Sequence, residues 1–295
     1  LTFGLIANIQ KELFWQKLPA LLSWFKQQQV PLILSKRITE NPNFNISGFS
    51  SFPDDELSKH CEMLLVFGGD GTFLHTVQLV GEDQTPILGI NVGGLGFLTD
   101  IHFDDFTSAF TKILEGEYRI EERLILKGII EGDPKPLYAL NEFVIDKGNS
   151  IRVIQILIRV NDAFLNSLVA DGLILSTPTG STAYSLSSGG PIVVPSTNVL
   201  IINPICPHSL TNRPVIVPAD MKITATTYTE HRDFIIAADG QDIRHCASRT
   251  QLTIETAPFT AHLVKPDTSN FFNLLHTKLN WGEDFRDKNS WSYKS

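Results

Sequence analysis

The stretch MLLVFGGDGTFLHTVQLV, residues 63–80, constrains the fold of this chain more than any other. An unbroken apolar run of strand length ends in three glycines set around one aspartate, and apolar residues of helical spacing follow. Phe73, Leu74, Val77 and Val80 share one helical face, the pattern of a helix that covers a sheet. A strand without polar alternation is buried on both faces, as in a parallel sheet with helices on each side. The neighbouring segments repeat the alternation. FGLIAN, PLILS and PILGINV read as short buried strands and FWQKLPALLSWFKQQ as a helix despite Pro19. Phe106, Phe110, Ile113 and Leu114 form the stripe of a further helix, which Asp104 or Asp105 would cap. The polar stretch RITENPNFNISGFSSFPDDEL reads as loop.

After GEYRIEERL the rhythm changes. LILKGII, YALNEFVI, RVIQILIRV, GLILST, MKITATTY and QLTIET are short alternating segments separated by Gly, Pro, Asp and Asn, which indicates antiparallel β structure. FFNLLHTKLNWGEDF returns to helical spacing, and the polar RDKNSWSYKS beyond it is expected to fray. The expected class is α/β plus all-β: an N-terminal open α/β sheet domain over residues 1–119, a C-terminal antiparallel β-strand domain over 120–262, and a tail, 263–295, whose helix packs back on the first domain.

With 24 basic against 32 acidic side chains, the formal charge of -8 argues against nucleic acid or an anionic membrane as a partner. No apolar run reaches the ~18 residues of a membrane span, and LTFGLIANIQ has neither a basic leader nor a small-residue cleavage site. A cytoplasmic location is expected. Cys61, Cys206 and Cys246 are scattered, and although each has a histidine near it, none shows the close repeated pairs of a zinc module. They read as buried small thiols, and no metal site built from protein ligands alone is expected.

Open α/β sheets bind ligands at the carboxyl ends of their strands, where GGDGT sits. Gly68, Gly69 and Gly71 remove Cβ atoms so that backbone amides can approach a phosphate, and with Thr72 they lead into a helix whose N-terminal dipole is positive. A carboxylate in a loop that held only anions would repel its ligand. Asp70 therefore suits a base or a metal contact, able to take the proton of a hydroxyl as that oxygen attacks phosphorus; the blander reading is a tight turn with Asp70 capping the helix. TPTGSTAYSLSSGGP, residues 177–191, is dense in hydroxyls that can meet ribose or phosphate oxygens, and Tyr184 can stack on a base. Asp171 in VADGLILS is either a hairpin-turn residue or a ligand contact. Asn141 and Glu142 in LNEFVID are either strand-end polar residues or a pair suited to a vicinal diol.

GGDGT, NEFVID, DGLILSTPTGSTAYSLSSGGP, NPICPHSLTNRP and ADGQ, in that order, resemble the NAD kinase family, over most of the chain from the first strand to the helix near Trp281. GGDGT is shared with phosphofructokinases and with diacylglycerol and sphingosine kinases; TPTGSTAYS is much more specific. The resemblance implies phosphorylation of the 2′-hydroxyl of the adenosine ribose of NAD to give NADP. The donor would be ATP or inorganic polyphosphate, with Mg2+ carried on the donor phosphates. It implies Asp70 as proton acceptor, Gly71 against the dinucleotide, and NAD contacts from Asn141, Glu142, Asp171, Thr182, Ala183, Tyr184, Ser187 and Gln241. Arg152 aligns with a position where relatives carry a basic or imidazole side chain. Val169 is apolar where some relatives are basic. A Rossmann-like first domain and a homodimer or homotetramer with shared active sites are further implications. GGLGF, residues 93–97, imitates a dinucleotide fingerprint without a helix opening after it and reads as a second loop flanking the donor site. The alternatives are a lipid kinase of the diacylglycerol kinase type and a non-catalytic NADP-binding regulator.

Overall fold

Residues 3–114 alternate strand and helix: β1 (Phe3–Ala7), α1 (Glu12–Gln27), β2 (Leu32–Ser35), α2 (Lys36–Thr39), β3 (Ser50–Phe52), β4 (Met63–Gly68), α3 (Asp70–Val80), β5 (Ile87–Asn91), β6 (Ile101–His102) and α4 (Phe106–Leu114). The computed structural model describes residues 1–280 except 43, 45, 95, 231 and 268. The strands of this half are parallel and lie in the order β3-β2-β1-β4-β5-β6. Both faces of β4 are covered, which is why its sequence shows no alternation. Met63, Leu65 and Phe67 pack with Phe14, Leu18 and Phe25 of α1 and with Phe106 and Phe110 of α4. Leu64 and Val66 pack with Phe73, Leu74, Val77 and Val80 of α3. Strand order reverses between β1 and β4, and the crevice beside such a reversal is where an open sheet binds ligands. The glycine loop leaves β4 at that point.

The second half is built from β7 (Tyr118–Ile130), β8 (Leu137–Ala139), β9 (Glu142–Asp146), β10 (Ile154–Val160), β11 (Ala163–Ala170), β12 (Gly172–Ser176), the short α5 (Tyr184–Ser187), β13 (Val199–Ile205), β14 (Val215–Pro218), β15 (Ile223–Tyr228), β16 (Phe234–Ala238), β17 (Asp242–Cys246), β18 (Gln251–Pro266) and α6 (Phe271–Leu279). In β10, buried Ile154, Ile156 and Ile158 alternate with exposed Gln155 and Arg159, the period expected of an antiparallel strand with one wet face. One sheet runs β14-β13-β12-β9-β16-β17. The other takes in β11, β10, β15 and β18, with β7 and β8 beside them, and shares an apolar core with the first. Strand β18 joins the halves: it pairs antiparallel with β7 and β15, and its Leu263 lies parallel beside Ile87 of β5. The parallel strands and the antiparallel strands of this second sheet therefore form one continuous sheet, with the six-stranded sheet separate from it.

Four local readings are corrected. Of the cysteines read as buried, only Cys246 is; Cys61 is half-buried and Cys206 exposed. The stretch read as loop contains α2 and β3; β3 is a three-residue edge strand of Ser, Ser and Phe, too short and polar to show a pattern. Neither Asp104 nor Asp105 caps α4: Asp104 is ion-paired with Lys17, and Asp105 precedes the helix with no side-chain cap bond. Helix α6 ends at Leu279, capped at its start by Asn270, whose Oδ1 accepts from the amides of Phe272 and Asn273. The rest of the expected helix and the tail, residues 281–295, lie outside the described residues. Helix α6 lies along α4, across a cleft of about 390 Å3 lined by Ser108, Lys112, Asn273 and Thr277. Among the described residues, no helix is long and apolar enough to cross a membrane.

Candidate active site

Asp70 is the first residue of α3, and Gly69 is its N-cap. The carboxylate does not cap that helix, which removes the plain-turn reading. It reaches the second glycine loop instead, where Oδ2 accepts from the amide of Phe97 at 2.8 Å. Its Oδ1 accepts from the amides of Leu98 (3.1 Å) and Thr99 (3.2 Å) and from the Thr99 hydroxyl (3.1 Å). Gly96 permits this approach, since a Cβ there would lie 2.6 Å from the Asp70 carboxyl carbon. Gly69, Gly71 and Gly94 are different: a Cβ on any of them would meet nothing within 4 Å. The protein's own packing does not require glycine there, and the bare backbone leaves room for a ligand to approach.

Asn141 and Glu142 are held by a residue that sequence reasoning missed. Asp239 accepts from the backbone amides of Leu140 (2.8 Å), Asn141 (2.8 Å) and Glu142 (3.1 Å). It sits with Gly240 in the left-handed region, φ 51° and 65°, in the turn between β16 and β17. An Asp-Gly pair between two strands is the sequence signal for such a turn, and ADGQ contained it. From the same turn, the Gln241 side-chain amide donates to the Gly71 carbonyl at 2.9 Å, bringing this hairpin against the glycine loop.

Glu142 is 7% exposed, and its Oε2 has no hydrogen-bond partner among the described residues. Burial, and then the charge of Asp239, pushes its carboxyl up to about 8. Asp239 is raised to about 6 by burial, with its three amides pulling the other way. Those amides favour the ionised form of Asp239, so Glu142 is the carboxyl that stays protonated near neutral pH. The folded protein thus keeps a proton that the unfolded chain releases. The corresponding stability is complete below the ordinary carboxyl range, falls as pH rises, and is lost above about 8. Glu142→Gln is neutral at every pH. It is expected to melt roughly 5 °C above the parent at pH 9 and close to it at pH 5, which thermal denaturation at the two pH values measures.

The hydroxyl-rich segment differs from expectation in detail. Most of its hydroxyls build the loop rather than line the site. Thr177 Oγ1 donates to the Leu140 carbonyl at 2.6 Å and accepts from the Gly180 amide at 3.1 Å. Ser176 Oγ donates to the Asn141 carbonyl at 3.2 Å, and Ser181 Oγ donates to Pro178 O at 2.7 Å and accepts from Val193 N at 3.0 Å. Thr182 and Ala183 are half-buried, while Tyr184 and Ser187 are exposed. Desolvation raises the Tyr184 phenol, with the negative charges of Asp146, Cys206, Asp171 and Glu142 adding to it.

Asp171 is the single residue linking β11 to β12 and is ion-paired with Lys147 at 2.6 Å, a second partner missed from sequence. Arg152 is exposed and paired with Glu230 at 3.1 Å. It lies in a cleft of about 610 Å3 with Val169, His208, Tyr228 and Arg249, whose lining includes neither Asp171 nor Asp70. Arg213 donates to the carbonyls of Leu210 and Asn212 and serves its own turn.

This arrangement has counterparts. Residues 3–118 match the ATP-NAD kinase N-terminal domain and residues 140–266 the ATP-NAD kinase C-terminal domain. The chain is 36% identical over 286 residues to the NAD kinase of Moorella thermoacetica, covering 96% of this chain and 91% of that one. It is 42% identical over 236 residues to the NAD kinase of Bacteroides fragilis, covering 79% and 80%. Its structure matches an NAD kinase from Archaeoglobus fulgidus solved in complex with ATP, with a TM-score of 0.76 and 25% identity over 95% of this chain and 99% of that one. Yeast NADH kinase complexed with NADH matches with a TM-score of 0.88, covering 97% and 89%; at 23% identity that likeness is one of fold. With both domains matched and the GGDGT loop facing the ADGQ hairpin, the chain belongs to the NAD kinase family.

Proposed function

We propose that this NAD kinase transfers the terminal phosphoryl group of ATP directly to the 2′-hydroxyl of the adenosine ribose of NAD, with Asp70 as the proton acceptor. The observation that carries this reading is the grip on the Asp70 carboxylate beside three glycines that face open space. Its Oδ1 already accepts three donors, whereas Oδ2 accepts one and keeps a lone pair. The ribose proton goes to Oδ2 as the oxygen–phosphorus bond forms. No covalent phosphoenzyme is needed, and positioning supplies most of the rate.

The loop of Gly68, Gly69, Gly71 and Thr72, with the start of α3, holds the donor phosphates. Asn141 and Glu142 bind the ribose diol; Thr182, Ala183, Tyr184 and Ser187 hold the dinucleotide, with Tyr184 against a base. Gln241 closes the site over Gly71, and Asp171 and then Arg152 continue the NAD path. That relatives at 36% and 42% identity are NAD kinases and that a matching NAD kinase was solved with ATP support the two substrate classes.

Residues 68–72 and 93–99 contain no Lys or Arg. Among the described residues, no group of three or more His, Cys, Asp and Glu could hold a metal ion. This donor set fits Mg2+ carried on the polyphosphate with few protein ligands; when bound, the ion would neutralise the phosphate charge that amides alone leave. Asp70 and the loop carbonyls are the groups that would face it. A cytoplasmic location and a homodimer or homotetramer complete the proposal. Ile151, 95% exposed, with Val169 and Tyr228 at the rim of the Arg152 cleft, supports association there.

A coupled assay for NADP formation tests the proposal, run with ATP or inorganic polyphosphate, with NAD or NADH, and with or without Mg2+. NADP is expected from NAD, ATP and Mg2+. Dinucleotide binding with no NADP formed at saturating ATP and Mg2+ would overturn it.

A further inference from the structure

Lys265, near the end of β18, is a cation only 3% exposed. An ammonium so deeply buried persists only where its partners offset the loss of water. Nζ of Lys265 lies 2.8 Å from Asp100 Oδ1 and donates to the Leu98 carbonyl at 3.3 Å; Ser269 Oγ donates to Asp100 Oδ2 at 2.6 Å. Burial pushes the Asp100 carboxyl up, but the charge and hydrogen bond of Lys265 and the Ser269 hydroxyl outweigh it and leave it below the usual carboxylate range.

The position of Leu98 O decides what this cluster does. That oxygen belongs to the same planar peptide unit as the Thr99 amide, which donates to Asp70 Oδ1 at 3.2 Å. Fixing the carbonyl end of that plane therefore aims its N–H at Asp70 and polarises it. At the other side, Asn91 Nδ2 donates to Thr99 Oγ1 at 3.0 Å and to Gly94 O at 2.7 Å, so the segment is held from both ends. The ammonium comes from the one strand that joins the parallel and antiparallel strands.

We propose that Lys265, with Asp100, is a positioning residue for Asp70: it fixes the Leu98–Thr99 peptide so that the 97–99 amides hold the carboxylate with Oδ2 toward the ribose hydroxyl. The proposal rests on Asp70 being the proton acceptor.

Lys265→Met leaves Asp100 buried without its cation and can fail to fold. The double variant Lys265→Met with Asp100→Leu removes both charges, and replacing a buried ion pair by apolar groups is often neutral for stability. The double variant is expected to melt near the parent while kcat falls about tenfold or more, with KM for NAD within about twofold. In an Asp70→Asn background, the same pair of substitutions is expected to change kcat by less than about twofold, because the group it acts through is gone. Parental kcat in the double variant, or the full tenfold loss persisting on top of Asp70→Asn, would overturn the proposal. If Asp70→Asn alone turns over at the parental rate, the assignment of the base fails instead, and the two failures are distinguishable.

Discussion

Asp70→Asn is expected to bind NAD within a few-fold of the parent and to turn it over ~10² times more slowly or worse. The substitution keeps the shape of the side chain. With its oxygen at the Oδ1 position, Asn retains the bonds from Leu98 N, Thr99 N and Thr99 Oγ1. Its NH2 then faces the Phe97 amide, so that bond is lost, and the group that would receive the ribose proton has no free lone pair. Both loops stay in place and only the acceptor is missing, so KM for NAD should hold while kcat falls. Calorimetric binding of NAD, together with single-turnover NADP formation, separates the two. An Asn variant with parental turnover refutes the role of Asp70.

The α/β half of the fold was legible because burial on both faces leaves MLLVF and PILGINV unbroken, a local consequence of covering helices. Local signals also singled out Asp70, since glycines set around one carboxylate at a strand-to-helix junction stand out within a few residues of sequence. What escaped was non-local. The bond from Asp239 to the amides of Leu140, Asn141 and Glu142 spans nearly a hundred residues, and the pairing of Leu263 with Ile87 leaves no trace in either strand's pattern. Lys265 reads as an ordinary strand-end cation until the 97–99 loop lies against it. The hydroxyls of TPTGSTAYS that build the loop were not separable in sequence for a related reason: Ser and Thr look alike whether they face a ligand or a backbone carbonyl. Only the fold shows that Ser176, Thr177 and Ser181 bond inward.

Gly180→Ala is expected to lower kcat/KM for NAD by ~10² or more and to lower the melting temperature as well. A Cβ on Gly180 would meet the backbone of Asn141, with the carbonyl carbon at 2.6 Å, and Ser176 Oγ at 2.6 Å. Neither can retreat. The Asn141 carbonyl accepts from the Thr177 amide at 2.9 Å and from Ser176 Oγ, while the amides of Leu140, Asn141 and Glu142 are fixed on Asp239. Relief can come only by moving 140–142 or by opening 176–180, and either displaces the pair assigned to the ribose. Gly69→Ala supplies the contrast, because its Cβ would project into open space and its φ of -111° suits any residue. That variant should melt with the parent and lose activity through a raised KM for ATP, the Cβ standing where the donor phosphates approach. Steady-state kinetics in both substrates with thermal melts of the two variants check this. Equal melting temperatures for Gly180→Ala and Gly69→Ala would mean that the TPTGSTAYS turn yields, and that its glycine, like Gly69, answers to the ligand rather than to Asn141.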